Sequence, residues 1–229
     1  MRYTVIPFES KTMPAKIIAV ANQKGGVGKS TVSMALAATW GRQGKKVLVV
    51  DADPQGTSAQ WSTASEDVTF PATVISLAQA GSKLHREVQK HVENYHLILI
   101  DCPPAVELQS QSALLIADLA LVPLPPSPPV LWGSRGIKLL IEKAEMVNPA
   151  LRGFILLNKV KKTALSAAIQ DQLSGFGLPV LKNKLKELTA FEEACVLGSS
   201  VQDLGSGGKA ASQAIEAVAA EILALVGLK

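Results

Sequence analysis

Three short stretches of this chain carry residue types suited to phosphate chemistry. The first is Gln23-Lys24-Gly25-Gly26-Val27-Gly28-Lys29-Ser30-Thr31, entered from the apolar run Ile17-Ile18-Ala19-Val20-Ala21 and followed by a helix-forming run from Val32 to Gly41. Strand, glycine-rich loop and helix N-terminus, in that order, cradle an anion on backbone N–H groups. The glycines allow close backbone approach. Lys29 can reach β- and γ-phosphates, and the Ser30 hydroxyl can ligate Mg²⁺. The second stretch, Asp51-Ala52-Asp53-Pro54-Gln55-Gly56, ends the apolar strand Val47-Leu48-Val49-Val50. The third, Leu97-Ile98-Leu99-Ile100-Asp101, is a buried-strand pattern delivering one carboxylate, as a metal's outer shell requires. Carboxylates at strand C-termini lie where open α/β sheets bind ligands. Each stretch also has a plainer reading: a glycine-rich turn with two solvated lysines, an Asp-Pro turn capping a helix, and a strand that happens to end in aspartate.

The first stretch departs from the ordinary phosphate-loop pattern. The position six residues before the lysine, normally glycine, is Gln23, and a second lysine, Lys24, follows it. A lysine there is badly placed for its own nucleotide and can instead point outward, to a phosphate held by another subunit.

The surrounding pattern alternates strands and helices. Strands are expected over 16–22, 47–50, 72–77, 97–100, 119–124 and 154–158, with a short one at 179–181. Helices are expected over 30–43, 81–95, 106–117, 130–147, 164–174, 189–197 and 209–226. Short apolar strands separated by helices predict an α/β, doubly wound, mostly parallel sheet flanked by helices. The three acidic or phosphate-binding strand ends then converge on one sheet edge. The run Pro125-Pro126-Ser127-Pro128-Pro129 follows a strand and stiffens a loop over that edge. The expected organisation is one domain over 1–229, with residues 1–15 as a short arm.

The 229 residues carry a net charge of +4, 48% hydrophobic residues and only 4% aromatics. That suits an aliphatic core of one α/β domain. No apolar run reaches the length of a membrane span, and the N-terminus lacks an export-signal core. Cys102 and Cys195 have no metal-site spacing, and His85, His91 and His96 form no ligand set; all three are expected near the surface. A cytoplasmic protein follows. Between 151 and 190 seven basic residues (Arg152, Lys159, Lys161, Lys162, Lys182, Lys184 and Lys186) face only Asp171 and Glu187. Such a local excess suggests a polyanion-binding face, the alternative being a solvated surface. If 182–186 is extended, its three lysines project to one side.

Lys24-Gly25-Gly26-Val27-Gly28-Lys29-Ser30-Thr31 resembles the deviant Walker A motif of the ParA/MinD family of ATPases. Asp51 to Gly56 resembles that family's Walker A′ segment, and Leu97 to Asp101 with Pro103-Pro104 its Walker B segment. The resemblance spans nearly the whole chain. The Pro-Ser-Pro run leading into the Trp132 helix is similar to short ParA proteins of the ParF-like and McdA-like kind. The resemblance implies ATP and Mg²⁺ as cofactors. Lys29 and the loop amides hold the phosphates, and Ser30 and Asp101 serve the metal. Asp51 supports the Mg²⁺ shell or the loop carrying Lys29, and Asp53 orients the attacking water. Lys24 crosses the interface of an ATP-bound homodimer. Asn158 reads the adenine edge, where an ordinary turn asparagine is the alternative. Arg135 serves the dimer interface or DNA. The implied function is slow ATP hydrolysis by a nucleoid-associated protein that binds DNA non-specifically. It would position a plasmid, a chromosome locus or a protein organelle such as the carboxysome, stimulated by a ParB-like or McdB-like adaptor. A MinD-like membrane-associated ATPase would need a basic amphipathic C-terminal helix, whereas this one carries Glu216 and Glu221. A metal-cluster carrier would need a Cys-x-x-Cys pair. An ATP-using enzyme of the same fold would need a substrate pocket.

Overall fold

The apolar runs become six strands: β1 (Lys16–Val20), β2 (Val47–Asp51), β3 (Thr73–Ser76), β4 (Leu97–Asp101), β5 (Leu119–Leu124) and β6 (Arg152–Leu157). In the computed structural model, which describes residues 14–104, 108–163 and 173–228, they pair in parallel in the order β3-β2-β4-β1-β5-β6. The helices are α1 (Lys29–Arg42), α2 (Thr57–Ser62), α3 (Leu84–Gln89), α4 (Leu108–Leu114), α5 (Pro128–Gly133), α6 (Arg135–Glu145), α7 (Ala190–Val196) and α8 (Lys209–Leu225).

Every residue of β2, β4 and β5 is buried. That explains why these strands are continuously apolar rather than alternating. Successive side chains still take opposite faces. Ile18, Val20, Val49 and Leu99 join a core with α1, α7 and α8, while Ile17, Ala19, Val50 and Ile100 join a second core with α3, α4 and α6. The apolar stripe of α8, including Ile215, Val218 and Ile222, is buried against α1. Among the described residues no helix is long and apolar enough to cross a membrane.

Two expected helices differ in extent. The pattern over 81–95 yields a 3₁₀ turn (Ala78–Lys83) and the short α3. Gly81 breaks it with φ 51° and ψ −127°, and the Val92 carbonyl accepts the Ala15 N–H at 2.9 Å instead of a helical bond. The pattern over 130–147 starts earlier, at Pro128, where proline suits a first turn, and splits at Ser134 into α5 and α6. The helix expected over 164–174 lies largely outside the described residues, as do most of the N-terminal arm and the start of the helix expected at 106. The short strand at 179–181 is a single bridge, Val180 to Ile155.

One close approach matters for α1. A Cβ on Gly41 would overlap the backbone carbonyl oxygen of Pro71. In an open helix Gly→Ala stabilises by about 1 kcal/mol. Here neither backbone can yield, so Gly41→Ala should instead destabilise by roughly 1–3 kcal/mol. Urea-denaturation midpoints will show this, and a stabilised variant would refute the contact.

Candidate nucleotide site

The strand register assembles the site. Val20 and Asp51 both lie level with Asp101, on either side of it, so the phosphate loop and both acidic strand ends meet at one edge. Gly26 and Gly28 take left-handed conformations, φ 73° and 92°, which only glycine adopts without strain. Gly28 begins α1 with no side-chain cap, so the first N–H groups of this helix remain available to an anion.

The two lysines of the loop have different fates. Lys29 is 7% exposed, and its Nζ lies 3.5 Å from the Lys24 carbonyl oxygen. Burial lowers its pKa, with Asp101 and Asp53 opposing the shift. Lys24 is exposed and lies along Gly133, where any Cβ would collide with its Cε. The Gln23 side chain donates to the Gly133 carbonyl. Asn22, 1% exposed, fixes this arrangement. Its Nδ2 donates to the Pro123 carbonyl at 2.9 Å, and its Oδ1 accepts the Lys24 N–H and the Ser134 hydroxyl, each at 3.1 Å. The loop is thereby tied to the junction between α5 and α6.

The carboxylates divide the work. Asp101 is wholly buried and accepts the Ser58 hydroxyl at 2.7 Å. Burial pushes its pKa up to about 6, although hydrogen bonds from Ser30 and Ser58 pull the other way. Asp53 is 8% exposed and accepts the Gln55 N–H at 2.9 Å. Asp51 accepts the Asp53 N–H at 3.1 Å and the Ala59 N–H at 2.9 Å. It therefore braces the loop of Asp53 and the start of α2, not the loop carrying Lys29. Among the described residues no three His, Cys, Asp or Glu side chains gather as a metal cage. The donor set fits Mg²⁺ held by the Ser30 hydroxyl with phosphate oxygens and waters, since this ion keeps several waters and few protein ligands. Cys102 is fully buried, and burial raises its thiol to about 12, which makes it a packing residue.

The expected basic face is redistributed. Lys182, Lys184 and Lys186 are exposed and alternate with the buried Leu181 and Leu185. Their extended segment pairs alongside the end of β6, through Leu185 N–H to the Leu157 carbonyl at 2.9 Å and Val160 N–H to the Leu185 carbonyl at 3.0 Å. Lys161 pairs with Glu187 at 3.0 Å, and Lys162 is exposed. Lys159 departs from expectation. Its Nζ donates to the Gly26 carbonyl at 3.1 Å, at the phosphate loop rather than among the outer lysines. Asn158 is 5% exposed and donates one Nδ2 hydrogen to the Val27 carbonyl at 2.8 Å, which braces the loop. Arg135 is exposed at the start of α6 and lines a hollow of about 550 Å³ with Trp132 and Leu139. His85 and His91 are half-buried, His85 beside the Ser112 hydroxyl, and His96 is exposed. The supporting residues Asn22, Ser58 and Ser134 gave no sequence signal, because each acts through a partner far along the chain.

The burial of Asp101 has a pH consequence. Its pKa rises from 3.8 in the absence of the fold to about 6, so between these values the folded chain holds a proton that the unfolded chain has lost. Its contribution to stability is greatest below about pH 4 and declines as pH rises through about 6. Asp101→Asn removes that dependence. Without nucleotide or Mg²⁺, the variant should gain stability relative to the parent from pH 4 to pH 7, as read from paired urea titrations. A difference that stays flat with pH would contradict the assignment.

Comparisons with known proteins agree with this geometry. Residues 18–201 match the CobQ/CobB/MinD/ParA nucleotide binding domain. The chain is 32% identical to the maintenance of carboxysome distribution protein A of Halothiobacillus neapolitanus over 220 residues, covering 90% of this chain and 95% of that protein. It is 32% identical to the chromosome-partitioning ATPase Soj of Thermus thermophilus over 216 residues, covering 80% and 86%. The structure of the Cyanothece McdA(D38A)–ATP complex superposes with a TM-score of 0.73 at 19% identity, covering 94% of this chain and 97% of that one, a likeness of fold. A phosphate loop with an outward second lysine, set level with two strand-end aspartates in an all-parallel sheet, thus has its place: the chain belongs to the CobQ/CobB/MinD/ParA nucleotide-binding family.

Proposed function

We propose that this protein is an ATP-hydrolysing switch that pairs with a second copy when ATP is bound, binds DNA without regard to sequence, and positions a cargo over it. The observation that carries this reading is the contrast between Lys29, buried in the loop, and Lys24, exposed and held along Gly133. Lys29 serves the nucleotide of its own chain, and Lys24 is left to serve that of a partner.

The residues divide the reaction as follows. The amides from Gly25 to Thr31 and the Lys29 ammonium hold the phosphates. Ser30 would hold Mg²⁺, assisted by Asp101, and the ion would supply positive charge against that developing on the phosphates. Asp53, whose own N–H donates to the Asp51 carboxylate beneath it, orients the attacking water and accepts its hydrogen bond. Lys24 of the partner adds a further positive charge, so ATP favours the paired state only through contacts that the single chain lacks.

Pairing doubles the exposed lysine segment. Two weak electrostatic contacts in one body bind a polyanion far more tightly than either alone. Such binding is steeply salt-dependent, with a slope near −0.9 per phosphate neutralised. Hydrolysis separates the pair and releases DNA, and a small adaptor on the cargo accelerates that step. Likeness to two carboxysome-distribution proteins and to Soj supports the positioning of a cargo, a protein organelle or a chromosome locus. The buried stripe of α8 favours DNA over a membrane as the surface that is used.

Binding to random-sequence duplex with ATP, ADP or no nucleotide tests this. The parent should bind only with ATP. Lys24→Ala and Lys29→Ala should fail, and Asp53→Ala should stay bound. DNA affinity that ignores nucleotide, or none at low salt, would overturn the reading.

A further inference from the structure

Lys159 is the one non-glycine residue with positive φ among the described residues, at 52°. Such a conformation is costly for a residue with a Cβ and persists only where its surroundings hold it. Its effect here is geometric. Neighbouring side chains of an extended segment point in opposite directions, yet Asn158 and Lys159 both reach the phosphate loop. Asn158 donates to the Val27 carbonyl at 2.8 Å and Lys159 to the Gly26 carbonyl at 3.1 Å. In a trans peptide the carbonyl and the following N–H point oppositely. Pinning the Gly26 and Val27 carbonyls on one side therefore turns the N–H groups of Val27 and Gly28 to the other, as an anion cradle needs.

The next residue faces away from the loop and joins the lysine segment. Val160 donates to the Leu185 carbonyl at 3.0 Å, and its own carbonyl accepts the Glu187 N–H at 3.3 Å, forming the parallel bridge Val160–Lys186. The far side of that segment is held by Glu221, whose carboxylate accepts the N–H groups of Lys182 at 2.7 Å and Asn183 at 2.9 Å. Three consecutive residues thus connect the phosphate loop to the exposed lysines.

We propose that Lys159 is a positioning residue of the nucleotide site, and that the strap from Asn158 to Val160 carries the state of the phosphate loop to the lysine segment. This rests on the reading above that the chain binds ATP and DNA. It removes Lys159 from the set of DNA contacts and places it where nucleotide binding is converted into DNA binding.

The test measures two affinities separately: a fluorescent ATP analogue with Mg²⁺, and random-sequence duplex DNA at saturating ATP over a salt series. Lys159→Ala should weaken nucleotide binding about tenfold, the worth of one charge-assisted hydrogen bond. Lys159→Gly should do the same although it relieves the backbone, and Lys159→Arg should restore most of the affinity. At saturating ATP, Lys159→Ala should also weaken DNA binding with its salt slope unchanged. Lys186→Ala should leave nucleotide affinity alone and lower the slope by about 1.8, one phosphate contact from each of the two paired copies. Parental nucleotide affinity in Lys159→Ala, with a slope reduced by about two, would make Lys159 a DNA contact and overturn the proposal. Weakened nucleotide binding with parental DNA affinity would overturn the coupling. If the parent binds the nucleotide but no DNA, the coupling falls with the DNA reading, and the nucleotide titration alone decides the positioning role.

Discussion

A carboxylate shut inside an apolar parallel sheet is unstable alone, and Asp101 is such a group. It ends the central strand β4 with no exposed surface, and burial holds its pKa near 6. What makes the position tolerable is its company: Lys29 from the phosphate loop, and the hydroxyls of Ser30 and Ser58. Those partners arrive because β1, β4 and β2 are in register at Val20, Asp101 and Asp51. A slip of one residue in either pairing would turn Asp101 to the wrong face and leave Lys29 with less to offset its own burial. The site is thus a set of charges whose burial is acceptable only jointly. Such a set responds strongly to a bound cation or phosphate.

Around that centre the backbone is held from three directions. Asp51 ties the Asp53 loop to α2, Asn22 ties the start of the phosphate loop to Pro123 and Ser134, and Asn158 with Lys159 ties its middle to the end of β6. These ties join the nucleotide loop to the α5–α6 surface that carries exposed Trp132 and to the lysine segment. The loop is therefore tied by hydrogen bonds to two exposed surfaces of the chain.

The fold class was legible from the sequence because the central strands are short, largely apolar runs and most intervening segments have helical spacing, whereas the six-residue α2 between β2 and β3 is too short to show one. The phosphate loop and the three aspartates were legible because their chemistry is confined to a few consecutive residues. What stayed hidden depends on distant neighbours. Nothing in the sequence around Asn22 shows that Pro123 and Ser134 will meet it. Gly133 and Gly136 look like weak points in a helix pattern, yet their missing side chains make room for Lys24 and Gln23. Lys159 looked like one more member of a basic run, and a single left-handed φ moved it from the outer face to the nucleotide loop. The helix expected over 81–95 was shortened by Gly81 and by a carbonyl committed to Ala15, a competition between tertiary bonding and local propensity.

The central claim is that Lys24 acts across an interface between two copies of this chain. Sedimentation equilibrium measures it directly, using the Asp53→Ala chain, in which bound ATP should persist. With ATP and Mg²⁺ the mass should move from one chain to two, and with ADP it should remain at one. Adding Lys24→Ala should abolish the doubling while ATP stays bound. A double variant that still doubles, or an Asp53→Ala chain that binds ATP and remains single, would contradict the account.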